Sequence, residues 1–120
     1  LLAPSGFRVY AGSEVFLMRT LRAGGVGCIS ATANVNPHAI ADLAAHWRES
    51  NADERQAGLD KVRSVFAKYQ MIAGMKTAVA HYSKDPEWLR VRPPLMQLTA
   101  DQQAKLLSEL QKANFSMPGL

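Results

Sequence analysis

The stretch Phe7-Arg8-Val9-Tyr10-Ala11-Gly12-Ser13-Glu14, followed one short helical segment later by Gly24-Gly25-Val26-Gly27-Cys28-Ile29-Ser30-Ala31, decides the fold. Phe7 to Ala11 alternates large apolar and other residues, is rich in β-formers and stops at Gly12-Ser13, so it reads as a short strand ending in a tight turn. Ser13 is placed to cap a helix, and from Glu14 the apolar positions Val15, Leu17, Met18, Leu21 and Ala23 keep helical spacing until Gly24-Gly25 ends it. Val26 to Ala31 is then a nearly continuous small and apolar run. A strand apolar on both faces belongs in a parallel sheet covered by helices. Asn36 is placed to cap the next helix with Pro37 at its first position, and Ile40, Leu43, Ala44 and Trp47 form an apolar stripe along it. Residues 1–50 thus read as two βα units in direct succession, with parallel strands and right-handed crossovers.

Residues 51–120 carry only helical patterns. Asp53 to Tyr69 places Leu59, Val62, Val65, Phe66 and Tyr69 at helical spacing, Met71 to Tyr82 is a more apolar helix broken at Ser83-Lys84-Asp85-Pro86, and Arg90 to Leu95 is extended around Pro93-Pro94. Thr99 caps a last helix to Ala113, with Leu106, Leu107 and Leu110 on one face. A two-stranded parallel sheet exposes two edges and two apolar faces and does not stand alone. The missing strands are expected either upstream in a longer polypeptide or from another chain. The opening Leu1-Leu2-Ala3-Pro4-Ser5-Gly6, without an initiator Met, reads as a loop inside a longer protein.

Composition narrows the function. At 120 residues the chain is at most one domain, able to bury about two-thirds of its surface. A complete (β/α)8 barrel needs about 250 residues. The net charge of +4 comes from 14 Lys and Arg dispersed among 10 Asp and Glu, so no basic patch marks nucleic acid as a partner. Nowhere do about 18 apolar residues run together, so no membrane partner is expected. The single Cys28 cannot form an internal disulfide, which favours a reducing, cytoplasmic compartment. His38, His46 and His81 stand apart from any carboxylate or cysteine at ligand spacing, so no metal is expected. Gly24-Gly25-Val26-Gly27 precedes a strand and opens no helix, unlike a phosphate loop.

The run Val9-Tyr10-Ala11-Gly12-Ser13-Glu14, then Leu21 through Ile29-Ser30-Ala31-Thr32-Ala33-Asn34-Val35-Asn36-Pro37, resembles strands seven and eight of the dihydrodipicolinate synthase / N-acetylneuraminate lyase family. Arg92-Pro93-Pro94-Leu95 before a helix at Thr99 resembles that family's carboxyl-terminal end. The resemblance implies an α/β chain: the C-terminal part of a TIM (β/α)8 barrel, residues 1–50 holding its last two βα units and residues 51–120 a three-helix region, commonly assembled as a homotetramer. It implies a class I aldolase-type lyase or synthase in which a lysine, assisted by a tyrosine, forms a Schiff base with pyruvate or another 2-oxo acid, with an aldehyde as second substrate and no cofactor.

In the family that lysine and tyrosine lie on earlier strands, outside these 120 residues, so no catalytic residue is expected here. Lys76, on a helix after the barrel, does not replace the lysine, because barrel active sites form at the carboxyl ends of strands. The resemblance implies substrate-binding roles for Gly12, Ser13, Glu14, Ile29 and Ala31: room for substrate at Gly12, the Ile29 carbonyl against the 2-oxo acid, and second-substrate choice at Ser13 and Glu14. Gly12 also fits a tight turn and Ser13 a helix cap. Ser13-Glu14 stands where some lysine-pathway members carry paired aspartates, which leaves the aldehyde open. The alternatives are a 2-keto-3-deoxy sugar acid aldolase or dehydratase of the same family, or a non-catalytic module needing a partner for the missing strands.

Overall fold

Two short strands pair in parallel in the expected place. In this computed structural model, which describes residues 3–120, β1 (Tyr10–Ala11) lies beside β2 (Gly27–Cys28) with Tyr10 opposite Gly27 and Ala11 opposite Cys28. The Val26 and Ile29 amides extend the ladder by donating to the Val9 and Ala11 carbonyls at 2.9 and 2.8 Å. Regular pairing is shorter than the five- and six-residue runs read from sequence, since each strand has its partner on one side only and neither flank of the ladder is reinforced. Leu1 and Leu2, part of the expected opening loop, lie outside the described residues; Ala3–Ser5 form a 3-10 turn.

Leu1–Asp60 and Lys61–Leu120 form two compact units. In the first, the segment after β1 starts as a 3-10 turn over Glu14–Phe16 and continues as α1 (Leu17–Arg22). Ser13 is its cap, accepting from the Val15 amide at 3.4 Å. The helix stops in a full glycine motif, with the Gly24 amide donating to Leu21 (3.1 Å), the Gly25 amide to Thr20 (2.8 Å) and Gly24 at φ +83°. A Cβ on Gly25 would fall 2.4 Å from the Thr20 methyl and 3.0 Å from the Thr20 and Val9 carbonyl oxygens, so glycine lets helix end and strand start touch. A 3-10 turn (Ala31–Asn34) follows β2 and leads into α2 (Pro37–His46), where Pro37 starts the helix and the Asn36 side chain, expected as a cap, makes no capping bond. Leu17, Met18, Leu21, Ile40, Leu43, Ala52 and Leu59 form one buried cluster with Cys28 and Trp47 against it.

The start of α3 (Ala52–Phe66) is tied down by charge. Arg55 donates to Asp42 on α2, to Glu49 at 3.1 Å and to Asn51 at 3.2 Å. Hydrogen bonding from Arg55, first, and the charges of Arg55 and His46 hold the Asp42 carboxyl below its usual range.

The second unit holds the end of α3, α4 (Met71–Ser83) and α5 (Ala100–Lys112). Phe66 packs edge-on to Phe115 at 5.8 Å, and Phe115 in turn to Tyr82 at 5.7 Å. Leu106 and Leu110 are fully buried, as their stripe requires. Thr99 and Gln102 close a reciprocal capping box at 3.3 and 2.9 Å. After Lys84, which ends α4 at φ +58°, Asp85 caps a 3-10 turn (Pro86–Leu89) where the sequence pattern predicts only a helix break. A Ser-Lys-Asp-Pro run signals a helix stop without specifying the turn after it.

Two outcomes follow for stability. Gly24→Ala costs about 1–2 kcal/mol, the left-handed penalty of a Cβ, and Gly25→Ala costs at least as much through contact with two carbonyl oxygens; urea unfolding of both variants checks the order. Because the Asp42 carboxyl is depressed on folding, its contribution is present at neutral pH and lost as pH falls below the ordinary carboxylate range. Arg55→Ala therefore lowers the melting temperature at pH 7 more than at pH 3, measured by circular dichroism.

Candidate functional site

Both strands end on the same side, and their ends carry the polar residues of the first unit. β1 runs into Gly12-Ser13-Glu14 and β2 into Ile29-Ser30-Ala31-Thr32, and parallel pairing brings the two ends together. At the centre is Glu14, whose residue surface is 2% exposed. Its Oε2 accepts from Ser30 Oγ and, at 3.3 Å, from Ser13 Oγ, while Oε1 accepts from Thr32 Oγ1. Ser30 and Thr32 lie 3.3 Å apart through their hydroxyls and are themselves buried. A buried carboxylate needs such donors, since an unpaired charge at that depth costs several kcal/mol.

The backbone of the same turn is clamped from α3. Gln56 Oε1 accepts from the Met18 amide at 3.1 Å, and its Nε2 donates to the Glu14 carbonyl at 3.0 Å and to Asp60 at 2.8 Å. One amide side chain thus serves a carbonyl in the 3-10 turn and an amide in the first turn of α1. The Cys28 thiol is pushed up by burial and then by the negative charge of Glu14, which lowers its thiolate fraction at neutral pH.

The other expected site residues surround this centre. Gly12 is exposed, its φ is not positive, and a Cβ there would meet nothing within 4 Å, so neither backbone nor neighbours require glycine. Ser13 is half-buried and does two things at once, capping the helix and donating to Glu14. The Ile29 side chain is 74% exposed, with its amide held by Ala11. Ala31 is exposed and opens the 3-10 turn, its carbonyl accepting from Asn34 at 2.8 Å. The structure therefore joins Ser13 and Glu14 directly, sets Gly12 and Ile29 at adjacent strand ends, and leaves the Ala31 side chain outside the hydroxyl cluster. Gln56 was missed by sequence reasoning, because one glutamine in a polar helix carries no local signal; an alternating Ser30-x-Thr32 pair inside an apolar run was the available clue.

Elsewhere, Lys76 projects from α4 with its amine 5.7 Å from the Trp88 ring centroid, a helix-face cation as expected. The Tyr82 hydroxyl, pushed up by burial, donates to the Phe115 carbonyl at 2.9 Å. Among the described residues no group of three or more His, Cys, Asp or Glu is placed to hold a metal ion, and no helix is long and apolar enough to cross a membrane.

Comparison with solved structures finds the same architecture in barrel enzymes. YagE from Escherichia coli, a prophage protein of the dihydrodipicolinic acid synthase family in complex with pyruvate, matches with TM-score 0.82 and 25% identity over 95% of this chain and 39% of its own. The dihydrodipicolinate synthase of Thermotoga maritima matches at 0.77 with 23% identity over 92% and 38%. A 2-keto-3-deoxygluconate aldolase variant of Sulfolobus solfataricus matches at 0.78 with 17% identity over 92% and 38%. The chain spans under two-fifths of the length of these structures, which are (β/α)8 barrels. A comparison with curated proteins finds no match. The model of the dihydrodipicolinate synthetase family matches residues 2–113, nearly the whole sequence, and the chain belongs to that family.

Proposed function

We propose that this chain supplies the last two βα units (residues 1–50) and the C-terminal helices (residues 51–120) of a (β/α)8 barrel lyase or synthase that works on pyruvate or another 2-oxo acid. The observation that carries this reading is the parallel β1–β2 pair, whose carboxyl ends gather Gly12, Ser13, Glu14, Ile29 and Ala31 on one side, where barrel enzymes place their chemistry. Family members are lyases and aldolases, and YagE was solved with pyruvate. The exposed apolar residues Phe7 (63%), Tyr10 (48%), Val26 (46%) and Ile29 (74%) on and beside the strands support it too, because further strands and helices would cover them.

In the proposed reaction a lysine amine adds to the keto carbon of the 2-oxo acid and the adduct loses water. The resulting iminium accepts the electron pair of a carbon–carbon bond that breaks, becoming an enamine; in the synthetic direction it first loses a proton from the neighbouring carbon, and the enamine donates its electron pair to the aldehyde carbon, whose oxygen takes up a proton. That lysine and its assisting tyrosine stand outside these 120 residues. This chain's part is to shape the mouth: the free space at Gly12 admits substrate, the Ile29 carbonyl meets the 2-oxo acid, and Ser13 and Glu14, with Ala31 opposite, bear on the choice of the second substrate, an aldehyde. The single cysteine and the family resemblance support a cytoplasmic homo-oligomer, a tetramer in the commonest arrangement.

Intact mass spectrometry after pyruvate and borohydride tests the reading. A polypeptide or complex holding this segment with its remaining strands gains one reduced pyruvate, and these 120 residues alone gain none. An adduct on the isolated 120 residues, or none on the natural assembly, overturns it.

A further inference from the structure

Glu14 is the most deeply buried charged residue of the first unit, and the pyruvate reading gives its carboxylate nothing to do with the reacting atoms. Its geometry suggests a different task. The two carboxylate oxygens are divided between hydroxyls of one segment: Oε2 takes Ser30 and Oε1 takes Thr32, while the Glu14 backbone belongs to the turn after β1. A single side chain thereby fixes the segment after β2 against the segment after β1 beyond the point where strand pairing stops, the last ladder bond being Ile29 to Ala11. The residue it anchors, Ser30, directly follows Ile29, and Thr32 directly follows Ala31.

We propose that Glu14 is a positioning residue, a carboxylate brace that acts through Ser30 and Thr32 to hold the Ile29 carbonyl and the Ala31 turn in place for the 2-oxo acid. It does not contact the 2-oxo acid itself. The inference rests on the pyruvate reading above and adds to it how the substrate-facing backbone is kept in register after the ladder ends. Side-chain length is part of the argument, because both oxygens must be delivered to hydroxyls two residues apart. Aspartate keeps the charge but is one methylene too short to reach both.

The experiment is borohydride trapping on the natural assembly, read as the pyruvate concentration giving half-maximal adduct. Glu14→Asp, Glu14→Gln, Ser30→Ala and Thr32→Val each raise that concentration, the Glu14 variants by about tenfold, the loss expected for hydrogen bonds to a charged group. Thr32→Ser, which keeps the hydroxyl, stays near wild type. Glu14→Gln combined with Ser30→Ala and Thr32→Val is no worse than Glu14→Gln alone, since all three remove one brace. Cys28 supplies a readout independent of activity: alkylation by iodoacetamide is faster in Glu14→Gln, which removes the charge that pushes the thiol up, and less so in Glu14→Asp.

If Glu14→Asp traps pyruvate like wild type, or if the effects of Glu14→Gln and the hydroxyl variants simply multiply, the brace is wrong while the Schiff-base reading stands. Wild-type assembly that takes no adduct overturns both.

Discussion

The constraint on which the first unit depends is the burial of one negative charge where two parallel strands end. A carboxylate with 2% of its residue surface exposed is tolerated only with donors in place, and Glu14 recruits Ser30 and Thr32 from the neighbouring strand end and Ser13 from its own. Those bonds hold only if β1 and β2 lie side by side in the observed register, so the polar cluster and the sheet specify each other. Gln56 adds a second tie by serving the backbone at Glu14 and Met18 from α3. Helix packing beneath, with Leu17, Leu21, Leu43 and Leu59 in one cluster, supplies the hydrophobic drive; the hydroxyls and the amide supply the geometry.

The second unit achieves order by other means. Its helices close on aromatic contacts among Phe66, Tyr82 and Phe115, and α5 is started by a reciprocal cap at Thr99 and Gln102. A Cβ on Gly74, buried on α4, would fall 3.6 Å from both Phe66 and Leu106, an ordinary contact distance. At the sheet, Phe7, Tyr10, Val26 and Ile29 remain open to solvent. The chain spans under two-fifths of the barrels it matches.

Helices were legible in the sequence to within a few residues of their ends. The 3.6-residue pattern marked α3, α4 and α5 within a few positions of their observed ends, and Ser13 and Thr99 were capping residues as read. Gly24-Gly25 ended α1 as its composition required. The strands were legible as a kind but not in extent, because regular pairing depends on neighbours that period-two patterning does not encode. Asn36 had the chemistry of a cap and makes no capping bond, since a side chain's local option is realised only where its backbone angles allow it.

By itself, then, the sequence determined the order of helices and strands and the parallel sense of the sheet, consequences of local periodicity, turn chemistry and chain connectivity, while the candidate residues at the two strand ends came from the family resemblance. Only the tertiary structure decided what those residues do to one another. Whether Glu14 meets solvent or hydroxyls, whether Gly12 is required by its backbone, and which glutamine in a polar helix holds the turn are settled by distances between residues far apart in the chain, some 16 to 42 positions. Buried polar groups must find partners wherever the fold brings them, and no local pattern records where that is.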